Sequence, residues 1–310
     1  MPELPEVETV RASLARDLVG RKVKAVAVTN GRVVRRHKTA KDFRTLLEGR
    51  TIKTAQRLGK NLVFALDNGT HLVVHLGMSG QLLRSHGPKD VKPKHTHVVI
   101  SFTQGGELRY VDPRTFGEMY VSIPPPEGTP VEISKFARLS IGGDGMAIRM
   151  AVPELAHLGI DPFEDQIGWD RFAAILRSRS TPLKAVLTDQ DIIAGIGNIY
   201  ADEILFAAGL RFDRESESLS TIEIRRLHRA ISRDPHRRHQ ARRVDASRRA
   251  VRRSRRETRR LSAVPPGVQP RRTGVPSVPP THRARSRPGP FDLLLPEVPK
   301  LTHVPTGEGC

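Results

Sequence analysis

Val7, Val10, Leu14 and Leu18 recur every three or four residues as far as Gly20, which predicts an amphipathic helix at the start of the chain. Pro5 suits its first turn, where a missing N–H costs nothing, and Glu6 and Glu8 suit the positive end of its dipole. Beyond Gly20 the period drops to two. Short β-branched runs at 23–29, 51–58, 61–66, 71–76, 98–102, 108–111 and 119–123 read as strands, with Asp67-Asn68-Gly69 and Gly105-Gly106 as hairpin turns. So many short strands predict a β-sandwich or barrel, here covering 1–123. Pro124-Pro125-Pro126 marks a boundary, and 124–163 reads as a connection with a short helix. Helical spacing returns at Trp169, Phe172, Ala173 and Leu176, and again at Leu183, Val186 and Leu187. It recurs at 199–208, capped by Asn198 and ended by Gly209, and at 220–231. The expected fold class is α+β: a sandwich with an N-terminal helix, then a small helical domain at 164–231.

Composition narrows the partner. The 310 residues carry a formal net charge of +19 and the pI is about 11.0, which favours a polyanion, most simply nucleic acid, over a merely solvated basic surface. The one cysteine, Cys310, excludes disulfides and a thiolate metal site within one chain. Neither a signal-type apolar run nor a stretch of about twenty apolar residues is present, so the expectation is a cytoplasmic protein without membrane contact.

Several residues carry possible chemistry. With Met1 trimmed, Pro2 becomes a secondary amine, and an α-amino group titrates near neutrality, so part of it is unprotonated and nucleophilic. Attack on a sugar carbon gives an iminium, an electron sink for later eliminations. Glu3 is placed to act as general acid or charge stabiliser. The same dipeptide also suits an ordinary helix start, and the pattern does not separate the two readings. Met78, between Gly77 and Gly80, and Arg114 with Phe116, in the turn after Asp112-Pro113, offer an apolar wedge beside an arginine, although Met and Phe are commoner in cores. Gly195-Ile196-Gly197-Asn198 precedes a helix and could gather backbone N–H groups around a phosphate, or make only a tight turn. Lys60 beside Gly59 reads as a phosphate or lesion contact, or as a surface lysine.

Taken in chain order, Pro2-Glu3-Leu4-Pro5-Glu6-Val7-Glu8, Lys60, His75-Leu76-Gly77-Met78-Ser79-Gly80, Asp112-Pro113-Arg114-Thr115-Phe116-Gly117 and Gly195-Ile196-Gly197-Asn198-Ile199-Tyr200-Ala201 closely resemble the bacterial formamidopyrimidine-DNA glycosylase family. The resemblance covers 1–231. It implies a β-sandwich joined to a helix–two-turns–helix domain, with double-stranded DNA containing oxidised purines as partner and a monomer as the working form. It implies excision of 8-oxoguanine and formamidopyrimidines followed by strand cleavage. Carried over residue by residue, Pro2 would attack C1′ of a flipped nucleotide, Glu3 would help protonate the opening sugar, and Lys60 would contact the lesion or its phosphate. Met78, Arg114 and Phe116 would fill the vacated stack, with Arg114 facing the orphaned cytosine; Asn198, with Glu6 nearby, would hold phosphates. Leu4 and the Met/Arg/Phe set look like the purine-specific branch rather than the endonuclease VIII branch. A non-catalytic nucleic-acid-binding protein is the reading from a different class.

The resemblance stops near Ser232. The family continues with a lesion-gripping loop and a four-cysteine zinc finger, so this chain is expected to bind no cofactor where its relatives hold one structural zinc. Instead, 232–310 hold 18 Arg and 1 Lys against 6 acidic residues, a net +13 of the total +19. This stretch is rich in proline and aperiodic, which predicts an Arg/Pro-rich disordered tail. A basic DNA-binding tail is one reading; a frameshift near residue 232, in the gene or in its sequencing, is the sharper hypothesis. Val275, Val278, Leu295 and Val298 each precede a proline. A TG-ending codon followed by CCN reads TGC one nucleotide later, which converts the four positions into cysteines spaced C-x2-C-x16-C-x2-C. Sequencing the gene through codons 225–300 is expected to show TG-ending codons at all four positions and an open finger-encoding frame one nucleotide on. Other codons there would remove the explanation.

Overall fold

The apolar spacing of the first helix is met by α1 (Leu4–Leu18), which buries Leu4, Val7, Leu14 and Leu18 on one side. The computed structural model describes residues 2–232, all within one compact unit. After α1 come β1 (Val23–Val28), a 3₁₀ turn at Gly31–Val34, α2 (Ala40–Leu47), β2 (Ile52–Leu58), β3 (Asn61–Leu66), β4 (His71–His75), β5 (Gln81–Ser85), β6 (Thr96–Phe102), β7 (Glu107–Val111) and β8 (Glu118–Ser122). The strands form two four-stranded sheets, in the orders β1-β6-β7-β5 and β2-β3-β4-β8, and all their pairings are antiparallel. The α+β expectation holds.

Three elements of the sandwich part escaped the pattern reading. In α2 the signal was present: Thr39 and Asp42 form reciprocal bonds at its start, a capping box. β5 is five residues long and only half-buried, so it shows no alternation, and the 3₁₀ turn is too short to show a period.

Between the sheets lie Val26, Val98, Ile100, Leu108 and Tyr110 from one and Leu62, Phe64, Leu72 and Val74 from the other, closed by Leu14, Leu18, Phe43 and Leu47 of the helices. Each such side chain contributes ~1.5–3 kcal/mol by leaving water. The second sheet is covered on its other face as well. Leu58, Val63, Val73 and Tyr120 pack there on Ile148, Val152, Leu155, Leu158 and Ala194. Burial on both faces explains why β3 and β4 read as nearly continuous apolar runs. Within the stretch expected to be a connection, α3 (Gly145–Ala151) and the 3₁₀ turn Pro153–Leu155 thus form a packing layer.

A separate helical core is built from α4 (Trp169–Arg177), α5 (Leu183–Thr188), α6 (Asn198–Ala208) and α7 (Thr221–Ser232), with Phe172, Leu176, Leu187, Tyr200, Leu205 and Leu227 at its centre. Gly209 ends α6 in the left-handed conformation, as its position after the last apolar residue predicts. The expectations of a disordered tail and of an absent zinc finger fall on residues 233–310, outside the described residues. No helix among the described residues is long and apolar enough to cross a membrane.

One ion pair joins the β-sandwich to the helical lobe in the interior. Arg57 and Asp161 are both 0% exposed and meet at 2.6 Å. The guanidinium also reaches Glu8 on α1, Glu164, and the Gly59 carbonyl, while Asp161 accepts from the Gly59 N–H at 2.6 Å. Burial pushes Glu164 up to about 7 despite Arg57, so Asp161 supplies most of the charge balancing the guanidinium at neutral pH. A buried charge that keeps its partner is tolerated, and one that loses it is not. Arg57→Met is therefore expected to cost ~3–5 kcal/mol and Arg57→Met/Asp161→Asn, which removes the stranded charge but keeps an acceptor for the Gly59 N–H, less, as read by chemical unfolding; equal losses from both variants would refute this.

Candidate active site at the N-terminal tip

Pro2 stands two residues ahead of α1 and is partly exposed. The residues that follow it are anchored to the helical lobe. Glu3 is only 7% exposed, and its carboxylate accepts from the backbone N–H groups of Gly197 (3.2 Å), Ile199 (3.0 Å) and Tyr200 (2.8 Å). These are the unpaired donors at the start of α6, where the helix dipole also favours an anion. The Leu4 N–H adds a bond to the Gly195 carbonyl at 3.1 Å. The Glu3 N–H in turn donates to the Glu6 carboxylate at 3.1 Å, so Glu6 holds the tip from the side of α1.

The glycine-rich loop therefore serves the tip. Gly195, at φ +93°, takes a conformation that side chains avoid, and a Cβ there would run into Leu4. A Cβ on Gly197 would strike the Glu3 carboxylate. Gln190 secures the loop from outside, accepting from the Gly195 N–H at 2.9 Å and donating to the Ile196 carbonyl at 2.8 Å. Two sequence expectations change here. The N-cap of α6 is Gly197, and Asn198 is the first helical residue with its side chain exposed. The converging N–H groups, read from sequence as a phosphate site, are taken by the chain's own Glu3.

Lys60 is not a surface lysine. It is 8% exposed and donates from Nζ to the Ile196 carbonyl at 3.1 Å. Desolvation lowers its pKa from the usual lysine range, and the charge of Glu3 opposes that shift. Lysine and proline thus meet the same loop of the helical lobe, Lys60 through Ile196 and the Pro2 tip through Gly195 and Gly197. The turn carrying Lys60 is itself held by Asp161, a residue whose part no motif in the sequence announced.

The register of β3 on β4 pairs Asn61 with His75, which puts Lys60 at the sheet end where Leu76-Gly77-Met78 departs. A cavity of about 300 Å³ opens there, lined by Arg36, Lys60, His75, Glu118, Glu154 and Gln190 among others. Burial lowers the pKa of His75. Past it, Met78 is 47% and Phe116 52% exposed, which is far from core burial. Arg114 is exposed too, with Nη1 3.8 Å from the Met78 sulfur. The two loops touch backbone to backbone, since a Cβ on Gly77 would meet the Gly117 nitrogen at 2.5 Å and the Phe116 carbonyl carbon at 2.8 Å. Met78, Arg114 and Phe116 accordingly form one projecting group.

No three His, Cys, Asp or Glu side chains converge on a metal-sized point among the described residues, and the chain has one cysteine.

Comparison with known proteins agrees with this geometry. Family models of the formamidopyrimidine-DNA glycosylase N-terminal domain and of the H2TH domain of the same enzymes match residues 1–119 and 158–234. A formamidopyrimidine-DNA glycosylase of Symbiobacterium thermophilum is 40% identical over 233 residues, covering 75% of this chain and 68% of the relative. The chain belongs to the formamidopyrimidine-DNA glycosylase family. A Parafrankia relative of the same name is 42% identical over 243 residues, covering 74% of this chain and 75% of its own length. Among solved structures, the Lactococcus lactis Fpg bound to abasic-site DNA has a TM-score of 0.60 at 30% identity, covering 74% of this chain and 75% of that one. A MutM complex with carbocyclic 8-oxo-G DNA gives the same score and identity over 74% and 77%. Both domains of the family match are therefore the parts that meet around the Pro2 tip.

Because Gly197 has an ordinary φ of −119°, Gly197→Ala tests sterics alone. Displacing the Glu3 carboxylate is expected to destabilise the protein by ~1–3 kcal/mol, read as a lowered Tm, whereas an unchanged Tm would mean that the tip is not held there.

Proposed function

We propose that this base-excision-repair DNA glycosylase and AP lyase removes oxidised purines, 8-oxoguanine and formamidopyrimidine, from double-stranded DNA through the Pro2 amine. The observation that carries this reading is the tip itself: a partly exposed N-terminal proline whose next residue is pinned by three backbone N–H groups of the opposite lobe. Such pinning is what a nucleophile needs to hold its line of attack.

The unprotonated Pro2 nitrogen attacks C1′ of the everted nucleotide and the bond from C1′ to the base breaks. The base leaves with the bonding pair and takes up a proton. Opening of the sugar ring, with a proton delivered to its oxygen, leaves an iminium between Pro2 and C1′. The iminium acidifies the C2′ hydrogens, so loss of one expels the 3′ phosphate, and a second elimination along the extended conjugated chain expels the 5′ phosphate. Hydrolysis of the imine returns the amine.

Glu3 stands beside this sequence as proton donor and charge stabiliser, and its carboxylate, hydrogen-bonded by three N–H groups, favours the nearby cation. Lys60 contacts the lesion or its phosphate from within the protein, where an ammonium acts more strongly than in water. Met78, Arg114 and Phe116 fill the space of the everted base, Arg114 facing the orphaned cytosine. Asn198, exposed beside Glu3, reaches a phosphate, and Glu6 steadies the tip. The enzyme works as a cytoplasmic monomer at the nucleoid. Its +13 tail supplies salt-sensitive affinity without positioning a lesion, and the missing finger leaves the chain with lowered activity and no bound zinc.

Borohydride trapping on an 8-oxoguanine duplex checks this. The chain as it stands is expected to give little covalent complex, the chain with its finger frame restored a strong one, and Pro2→Gly in the restored chain none. Undiminished trapping by the Pro2→Gly protein would refute the mechanism, and DNA affinity unaccompanied by trapping in every form would favour a non-catalytic binder.

A further inference from the structure

The projecting group Met78, Arg114 and Phe116 is carried by two loops that are far apart in sequence, and something must fix one against the other. The buried polar groups around them converge on a single side chain. Asp112 is 0% exposed. One carboxylate oxygen accepts from the Ser79 hydroxyl at 2.5 Å and from the Arg114 N–H at 3.2 Å. The other accepts from the Gly117 N–H at 2.9 Å and from the Tyr110 hydroxyl at 3.2 Å. Its main chain is held as well, the N–H by the His95 carbonyl at 3.1 Å and the carbonyl by the His97 ring at 2.8 Å.

Three of the four carboxylate bonds reach a projecting residue or its neighbour. Ser79 follows Met78, the Arg114 N–H belongs to the arginine itself, and Gly117 follows Phe116. Between them Thr115 sits at φ 54°, a conformation that non-glycine residues avoid and that persists only when surrounding bonds impose it. The Ser79 hydroxyl also lies 3.3 Å from the Arg114 N–H. Glycines at 77, 80 and 117 let the loops and the Tyr110 hydroxyl close on each other without side chains between them.

We infer that Asp112 is a positioning residue for DNA eversion: its carboxylate, with the Ser79 hydroxyl, locks the Met78 loop to the Arg114–Phe116 loop so that the three side chains enter the stack as one rigid wedge. Hydrogen bonds from Ser79, Gly117, Arg114 and Tyr110 outweigh burial and hold the carboxyl below its usual pKa, so it stays an acceptor for all four donors at working pH. Neither loop alone could set this geometry. A wedge that entered in pieces would lose the entropy of ordering each loop at the moment of binding. The inference rests on the proposed wedge role of Met78, Arg114 and Phe116.

The test uses the full chain and needs no turnover. A duplex with a tetrahydrofuran site opposite 2-aminopurine reports, by fluorescence at saturating protein, whether the wedge reaches the orphaned base. Hydrogen exchange of the Arg114 and Gly117 amides in the free protein reports the lock. Ser79→Ala and Asp112→Asn are expected to speed that exchange at least tenfold and to remove most of the fluorescence change, with Ser79→Thr restoring both because it returns the hydroxyl. Arg114→Ala/Phe116→Ala is expected to abolish the fluorescence change while leaving the Gly117 amide protected. If that double variant keeps the full signal, the wedge reading and the inference both fall. If it loses the signal while Ser79→Ala and Asp112→Asn keep theirs, the lock alone is overturned. Should Asp112→Asn not fold, the Ser79 pair decides by itself.

Discussion

A carboxylate at the start of a helix is the contact on which the site depends. Glu3 neutralises the positive end of α6 and gives three of its unpaired N–H groups a partner. The same side chain belongs to the residue after Pro2. One interaction thus finishes a helix in one lobe and aims a chain terminus in the other. N-termini are ordinarily loose. This one is held because the helix it caps would otherwise bury donors with nothing to bind.

Around that contact the remaining features fall into place as supports. Gly195 and Gly197 make room for Leu4 and Glu3. Gln190 braces their loop, and Lys60 reaches it from the sandwich side. Arg57 then ties α1 through Glu8 and the helical lobe through the buried Asp161, which also holds the Lys60 turn at the Gly59 N–H. A buried pair of this kind is weak ground for arguing stability and better ground for arguing registration. Here it fixes which strand end meets which helix start.

How far this was legible in the chain depended on whether a feature is local. The helix at Leu4–Leu18 and most strands followed from periodicity, because burial on one face repeats along the sequence. Pro2, Glu3, Lys60, Met78, Arg114, Phe116 and Asn198 were picked out by motif. What those motifs meant was only partly open to reading. The Gly195-to-Asn198 loop looked like an anion site and is one, but the anion comes from 194 residues away in the same chain. Such a partner has no sequence signature. The same holds for Asp161, which sits in an unremarked stretch yet makes its bonds 102 and 104 residues distant. Asp112 lay inside a recognised motif, and three of its four donors are local to it, but the fourth, the Ser79 hydroxyl, comes from 33 residues away and only the fold brings it there.

The fastenings between the sandwich and the helical lobe carry one more consequence. Main chain to main chain at Leu4 and Gly195, ammonium to carbonyl at Lys60, and guanidinium to carboxylate at Arg57 are all buried or nearly so. A jaw hinged along that seam would have to break charged contacts away from water in order to open. The adaptable body in the encounter is consequently the duplex, whose bending stiffness and step-by-step softness then enter the free energy of recognition. Base steps that kink readily suit a grip that does not yield.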